Sequence, residues 1–137
     1  MSKDAFEIVQ PKHWAAPKGY ANGIAARGRQ VFIAGQIGWN AEAQFESDDF
    51  VAQVEQALKN IVEVLAAAGC EPRHLVRLNW YVTDKAEYAA RQSEIGIAYR
   101  RQIGRHFPAM TLVVVAGLLE PRAKVEIEAT AIIADLP

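Results

Sequence analysis

The sequence of residues 107–134 is FPAMTLVVVAGLLEPRAKVEIEATAIIA, and it contains two segments with the composition of β-strands. Pro108 has no amide hydrogen to donate to a neighbouring strand, so it marks the start of the first segment. The run 111–116 is apolar and rich in β-branched residues, which predicts a strand buried on both faces. From Val125 to Ala131 apolar and polar residues alternate, which predicts a strand with one apolar face.

Two carboxylates, Glu126 and Glu128, lie on the polar face of that second strand. One interpretation is structural: the carboxylates face water, or one of them pairs with Arg77 across the sheet. The other is functional: Glu126 is the better candidate for an acid/base group at a subunit interface. The residues alone leave both interpretations open.

The first third of the chain predicts three strands. A short edge strand covers residues 6–9, and strands over residues 20–26 and 30–34 form a hairpin around the turn 27–29. The segment 35–40 follows with two glycines, which suit close approach of the backbone to another group. Trp39 in this segment is a candidate for lining a pocket.

Two helices are predicted from the spacing of apolar residues. The first contains apolar residues from Phe50 to Leu65, with Ser47 as its N-cap and Gly69 as its stop. The second covers residues 85–103 and contains Gly96, which costs about 1 kcal/mol relative to alanine in a helix. Between them, alternation over residues 76–82 predicts another strand.

The predicted order of elements is β-β-β-α-β-α-β-β. It places two helices on one face of a mixed sheet of six strands, an α+β sandwich of two layers. A chain of 137 residues fits one domain, residues 1–137. Because two helices leave one apolar sheet face uncovered, we expect the chain to self-associate through that face.

The composition excludes several classes of protein. The 15 basic and 16 acidic residues are interspersed and the net charge is −1, so nucleic acid is disfavoured as the main partner. The single cysteine, Cys70, forms no intrachain disulfide and is typical of a reducing compartment. Neither a signal peptide nor an apolar run of about 20 residues is present. We therefore expect a soluble, cytoplasmic protein without a membrane partner.

Common catalytic motifs are absent from the sequence. It has no P-loop, no dinucleotide-binding fingerprint and no nucleophile elbow. The three histidines, His13, His74 and His106, lack the spacing of metal ligands, so no metal site is predicted. Cys70 follows the predicted helix stop and is interpreted as a small buried residue rather than a nucleophile.

Five short motifs, in order over nearly the whole chain, resemble the Rid family, also called the YjgF or L-PSP endoribonuclease-like family. They are Tyr20, Ala34-Gly35-Gln36-Ile37, Tyr81-Val82-Thr83-Asp84, Phe107-Pro108-Ala109 and Val125-Glu126-Ile127-Glu128-Ala129. The resemblance implies a chorismate-mutase-like fold and a homotrimer with a small-molecule cleft between each pair of subunits. That assembly agrees with the uncovered sheet face.

The resemblance also implies an activity and a set of site residues. The best-studied members of the family hydrolyse reactive enamines and imines to ammonia and a 2-oxo acid, with no metal or cofactor. By the same resemblance, Gly35 and Gln36, with the adjoining Ile37, frame the cleft. Tyr20 lines it, and Glu126 positions the hydrolytic water.

One position departs from the family pattern. The family's arginine, which grips the substrate carboxylate, follows Pro-Ala, and Met110 takes that place in this chain. A charge-assisted hydrogen bond contributes about 1.5–3 kcal/mol, so a substrate held only by that contact would bind about a hundredfold more weakly. Met110, with Trp39, favours a larger, less acidic or aromatic-derived ligand. Arg77 and Arg105 are other cations, but neither matches the motif.

Three functions therefore follow from the sequence. The first is a Rid-like deaminase or hydrolase that acts on an enamine, imine or related unstable metabolite with altered specificity. The second is a non-catalytic protein that binds a small metabolite in the same cleft, which the missing arginine favours. The third is an endoribonuclease or translation inhibitor, for which the near-neutral charge gives no electrostatic support.

Overall fold

The computed structural model describes residues 6–134, so the ends of the predicted domain, residues 1–5 and 135–137, lie outside it. Its elements are β1 (Phe6–Val9), β2 (Gly23–Ala26), β3 (Arg29–Ile37), α1 (Phe50–Ala67), β4 (Leu75–Val82), α2 (Lys85–Ala90), α3 (Gln92–Gln102), β5 (Ala109–Val114) and β6 (Val125–Ile133). A single 3-10 turn, Pro72–His74, precedes β4. The predicted α+β class and the order of strands are confirmed.

The main sheet has four strands in the order β3-β6-β4-β5. β4 and β5 run parallel, and the other neighbours are antiparallel, so the sheet is mixed as predicted. The prediction of one six-stranded sheet is wrong for the described residues, because β1 and β2 pair with each other as a separate ribbon. The ribbon meets the main sheet at the start of β5, where the Ala21 amide donates to the Pro108 carbonyl at 3.0 Å.

The predicted hairpin between β2 and β3 is also wrong. Gly28 connects the two strands with φ of 142°, and a Cβ there would overlap the Ile133 carbonyl at the end of β6. This connection is a corner that glycine alone fits, and the strands it joins take different partners. β2 pairs with β1, and β3 pairs with β6.

The hydrophobic core lies between the helices and one face of the main sheet. Alternate residues of β6 are buried, as predicted, and pack with the apolar face of α1. The largest wholly buried apolar side chains of this layer are Phe50, Leu58, Ile61, Leu65, Leu75, Leu78 and Ile127. A buried amide, Gln53, ties α1 to the β5–β6 connection: its Nε2 donates to the Arg122 carbonyl, and its Oε1 accepts from the Lys124 amide.

Helix α1 begins later than predicted and ends where predicted. Asp49, not Ser47, is the N-cap, and its carboxylate accepts from the Ala52 amide at 3.0 Å. The Ser47 hydroxyl instead accepts from the Asp49 amide at 2.9 Å and so fixes the turn before the helix. At the other end Gly69 has φ of 76°, typical of the residue that follows a helix C-cap.

The predicted second helix is divided into α2 and α3 at Arg91, whose φ of −119° and ψ of 22° are not helical. The Arg91 guanidinium binds Glu94 through two nitrogens, at 2.8 and 2.9 Å, and Asp49 at 2.8 Å. The hydrogen bond that Arg91 donates to Asp49 is the main cause that lowers the pKa of the Asp49 carboxyl group. The Arg91 side chain, at the break between the helices, therefore links the start of α3 to the start of α1.

No helix of the described residues covers the other face of the main sheet. Phe32 on β3 is 73% exposed there, opposite Thr130. β5 lies at the sheet edge, with Val113 and Val114 41% and 49% exposed, so the prediction that this strand is buried on both faces is wrong within one chain. Among the described residues, no helix combines the length and apolarity needed to cross a bilayer.

Candidate functional site

The Glu126 side chain lies against the backbone of Gly35. Glu126 is on β6 and Gly35 is on the neighbouring strand β3, next to the irregularity in their pairing between Ile33 and Gln36. A Cβ at Gly35 would lie 2.7 Å from Glu126 Cδ and 2.8 Å from its Cγ, closer than real Cβ contacts. Glycine at position 35 is therefore what lets the carboxylate occupy this place.

The two carboxylates of β6 have different surroundings. Glu128 accepts hydrogen bonds from the Tyr81 hydroxyl at 2.6 Å and from the Asn79 amide at 3.1 Å. The first of these bonds is the main cause that raises the pKa of Tyr81. Glu126 is half-buried and makes no hydrogen bond or ion pair with another side chain of residues 6–134. Of the two, Glu126 is the carboxylate free to bind water or a ligand.

Arg77 does not pair with either carboxylate in the described part of the chain. Its Nε donates to the Asn79 side-chain oxygen at 3.3 Å, and the same Asn79 side chain donates to Glu128. The result is a polar network on the uncovered sheet face, in which Asn79 separates the cation from the carboxylate. The direct pair with Arg77, which the structural interpretation offered as one alternative, is replaced by this bridge.

A cavity of about 540 Å³ lies between β5 and α3, on the helix side of the sheet. That size is typical of small-molecule sites. Tyr20 and Met110, which the sequence selects, both line it. The Tyr99 ring forms part of its wall, 5.5 Å from the Phe107 ring and 6.4 Å from the Trp80 ring between centroids. Aromatic side chains therefore form a large part of its lining, and we call it the aromatic cavity.

Hydrogen bonding fixes part of this aromatic wall. The Tyr99 hydroxyl donates to the His106 carbonyl at 2.6 Å, and burial raises the pKa of the phenol. Burial also raises the pKa of Tyr88, which lines the cavity from α2. Both phenols are therefore neutral at physiological pH.

The remaining predicted site residues lie elsewhere. Gln36 donates from its side-chain amide to the Ala34 carbonyl at 3.1 Å, and Ile37 is buried opposite Glu126. Trp39 packs on Phe45, with the ring centroids 5.9 Å apart. Within one chain, Trp39 is outside the cavity that Met110 lines.

The predicted residues thus form two groups on opposite sides of the sheet. Met110 pairs with the buried Leu78 and packs on the core, on the helix side. Glu126 projects from the opposite face, because it alternates with the buried Val125 and Ile127. Gly35 lies on β3, roughly 14 Å from β5 across two intervening strands. A small molecule bound to one chain contacts one group or the other, not both.

His74, His106 and Cys70 have structural roles in the described residues. His74 Nδ1 accepts from the Glu71 amide at 2.8 Å, and His106 Nε2 lies 2.7 Å from the Leu75 carbonyl oxygen. Cys70 is buried beyond the end of α1. Within residues 6–134, no three His, Cys, Asp or Glu side chains are grouped to hold a metal ion.

Most residues that line the cavity are not marked as site residues by any sequence motif, and Trp80 and Arg100 are two of them. The signal for Arg100 is its position four residues after Gly96, one helical turn away. A glycine at that spacing leaves room for a guanidinium to lie along the helix.

Known proteins match this sequence over most of its length. Residues 11–133 match the model of the family described as Endoribonuclease L-PSP. The protein DfrA of Myxococcus xanthus is 37% identical over 96% of this chain and 97% of its own length. Human 2-iminobutanoate/2-iminopropanoate deaminase is 32% identical over 76% of this chain and 73% of its own length.

Solved structures agree in fold. A Rid family protein of unknown function from Yersinia pestis superposes with a TM-score of 0.81, with 34% identity over 94% of this chain and 99% of its own. A YjgF/YER057c/UK114 family member from Mycobacterium tuberculosis gives a TM-score of 0.63, with 33% identity over 84% and 87%. The family model, the relatives and the fold together show that the chain belongs to the Rid (YjgF, endoribonuclease L-PSP) family.

Proposed function

We propose that the chain is a Rid-like deaminase that hydrolyses a reactive enamine or imine, or a related small metabolite, in a cleft between subunits. The observation that carries this proposal is the half-buried Glu126 carboxylate, which lies on Gly35 without a side-chain partner among residues 6–134. The relatives named as iminobutanoate/iminopropanoate deaminases support the reaction class. The specificity differs from theirs, because Met110 replaces the family's arginine.

Hydrolysis of an imine requires a water molecule to add to the carbon of the C=N bond. The resulting carbinolamine then releases ammonia and leaves a carbonyl group. Glu126 orients the water and accepts its proton as the new C–O bond forms, which is general base catalysis, and then returns that proton to the nitrogen so that it can leave as ammonia. Backbone amides beside Gly35 stabilise the charge that develops on the reacting atoms.

A complete site of this kind needs more than one copy of the chain. Glu126 and Met110 lie on opposite faces of the sheet, so both can line one cleft only if different subunits supply them. The exposed Phe32 and Val113 give an apolar surface on the uncovered face for such an assembly. We propose the homotrimer implied by the family resemblance, with a cleft between each pair of subunits.

The test is the rate of ammonia release from imines that an L-amino acid oxidase generates in the same solution. The protein should accelerate release for at least one imine in a panel with aliphatic and aromatic side chains. Glu126→Gln should lower the acceleration by about 10²–10⁴-fold. Glu128→Gln is the matched control, since Glu128 is already hydrogen-bonded to Tyr81 and Asn79, and it should retain most activity.

A metabolite-binding protein without catalysis is the second candidate, and Met110 in place of a cation is the observation that favours it. Ligand-induced thermal stabilisation with no acceleration of any imine in the panel would decide for binding. An endoribonuclease is the third candidate. Salt-sensitive RNA binding with cleavage would favour it, but a net charge of −1 gives it no electrostatic support.

A further inference from the structure

The charged side chains that line the aromatic cavity between β5 and α3 are basic. Two cations, Lys18 and Arg100, line it, and no aspartate or glutamate of residues 6–134 does so. The rest of the lining is aromatic, apolar or neutral. A cavity of this composition favours an anion that also carries a large apolar or aromatic group.

Arg100 is placed to hold such an anion. Its Nη1 lies over Gly96 on α3, where a Cβ built on the glycine would be 3.4 Å from that nitrogen. Within residues 6–134 the Arg100 side chain has no ion pair or hydrogen bond. The next residue, Arg101, is committed elsewhere, because its guanidinium binds Glu55 at 3.0 Å. Arg100 therefore has its donors available.

Trp80 supplies a second donor. The residue is 5% exposed and lines the same cavity, and its Nε1–H meets no acceptor in the described part of the chain. A buried N–H without an acceptor is unfavourable, so such groups in native proteins call for a partner. Trp80 forms part of the cavity wall, so a ligand oxygen that reaches this buried nitrogen would provide one.

We propose that this cavity recognises an aromatic 2-oxo acid and the imine from which it forms. The carboxylate is held by the Arg100 guanidinium, and the Trp80 Nε1–H donates to an oxygen of the ligand. The ligand's ring packs beside Tyr99 and Phe107. Arg100 thus takes over the anion-binding role from the position that Met110 occupies. This assignment names the substrate class of the proposed deaminase and rests on that function.

The experiment measures binding, not turnover. Isothermal titration of the full chain with phenylpyruvate, the stable product of such an imine, should give saturable binding. Pyruvate has the same acid group without the ring and should bind at least tenfold more weakly. Equal affinity for the two acids, or no binding of phenylpyruvate, would overturn the assignment.

Variants identify the groups that hold the ligand. Arg100→Gln should weaken phenylpyruvate binding about tenfold or more. The matched control Arg101→Gln removes the same charge one residue away, outside the cavity lining, and should change the affinity less than twofold. A larger loss in Lys18→Gln than in Arg100→Gln would show that the wrong cation was assigned. So would a larger loss in Arg77→Gln, since Arg77 lines a second cavity that Met110 also borders.

Trp80→Phe tests whether the Trp80 N–H is a donor to the ligand. Ligand affinity and the thermal midpoint together distinguish this role from a role in packing. The variant keeps an aromatic ring and removes the N–H. It should weaken phenylpyruvate binding several-fold, and phenylpyruvate should raise its thermal midpoint less than it raises that of the native chain. A lower midpoint with unchanged affinity would assign Trp80 to packing and remove it from the site.

These experiments test the binding proposal and the catalytic proposal independently. If phenylpyruvate binds through Arg100 and no imine is hydrolysed faster, the deaminase proposal fails and the cavity assignment stands. If imines are hydrolysed and Arg100→Gln changes neither binding nor the preference for aromatic imines, the cavity assignment fails and the deaminase stands.

Discussion

The carboxylate of Glu126 occupies the space that a side chain at Gly35 would fill. The two residues lie on neighbouring strands, β6 and β3, and the placement of each side chain depends on the other residue. Glycine keeps the place open, and the carboxylate fills it without a competing hydrogen bond from a described side chain. The proposed water-positioning role of Glu126 depends on this pair.

Gly35→Ala should displace Glu126 and cause a loss of both stability and activity. Overpacking of this kind costs about 1–3 kcal/mol, and the carboxylate can no longer lie against the strand. Urea unfolding and the imine assay measure the two effects. Gly117→Ala is the control, since a Cβ there has no neighbour within 4 Å.

A double-mutant cycle tests whether the contact itself is the cause. In the Glu126→Ala background the overlapping atoms are absent, so adding Gly35→Ala should cost much less than in the native chain. Equal costs in the two backgrounds would show that the backbone of β3, not the carboxylate, requires glycine.

Phe32→Asp should prevent assembly. Phe32 is 73% exposed on the sheet face without helices, and in the proposed homotrimer a charge there would be buried against another subunit. Light scattering after gel filtration at micromolar concentration should show a trimer for the native chain and a smaller species for the variant. Leu119→Asp is the matched control, because Leu119 is 93% exposed in the β5–β6 connection, outside the sheet.

A native chain that runs as a single subunit at that concentration would remove the inter-subunit cleft. Glu126 and Met110 would then remain on opposite faces of one sheet, with no ligand in contact with both. The proposed deaminase mechanism would fail, whereas the aromatic cavity, which belongs to one chain, would remain.

Tyr99→Phe should alter both the stability and its pH dependence. Loss of the hydrogen bond to the His106 carbonyl should cost about 1 kcal/mol at neutral pH. Because burial raises the pKa of Tyr99, the folded state favours the neutral phenol. That contribution is fully present below the unfolded pKa of about 10 and is lost as the pH rises towards the folded value.

The native chain should therefore lose stability more steeply than Tyr99→Phe above pH 10, by up to about 1.4 kcal/mol per pH unit. Chemical denaturation at pH 7, 10 and 11 measures this difference. Tyr88, whose pKa burial also raises, is present in both proteins and does not affect the comparison. Parallel stability curves would show that Tyr99 ionises equally in the folded and unfolded chains.

The regular elements were predictable because their periodicity is local. Alternation around Glu126 and the helical spacing from Phe50 to Leu65 each depend on neighbours in sequence, and the structure confirms both. The break at Arg91 was not predictable, because one of its partners, Asp49, is 42 residues away. The separate β1–β2 ribbon was missed for a similar reason, since strand pairing depends on tertiary position.

The candidate site was predictable where a motif marks it. Gly35 and Glu126 were selected by resemblance, and the fold brings them together. Trp80 and Arg100 belong to a regular strand and helix, where side chains of these types normally serve the core or face water. Only the three-dimensional structure shows an unpartnered indole N–H and an unpaired guanidinium, within the described residues, lining one cavity.

Met110→Arg should restore affinity for small carboxylates. The side chain lines the cavity from β5, and a guanidinium there could hold a carboxylate through two parallel hydrogen bonds. We expect faster ammonia release from small aliphatic imines, by about tenfold or more, with a smaller change for aromatic ones. Met110→Leu is the control that keeps the site apolar, and it should show no gain.

Met110→Arg should also change the thermal stability of the protein in a way that depends on a bound anion. Met110 packs on the core, so a charged replacement should lower the thermal midpoint unless its guanidinium reaches the cavity. Arg100 already carries a positive charge there, and the two cations would repel each other in the absence of an anion. Addition of pyruvate should therefore raise the midpoint of Met110→Arg more than that of the native chain. Equal shifts in both proteins would mean that position 110 does not face the bound acid.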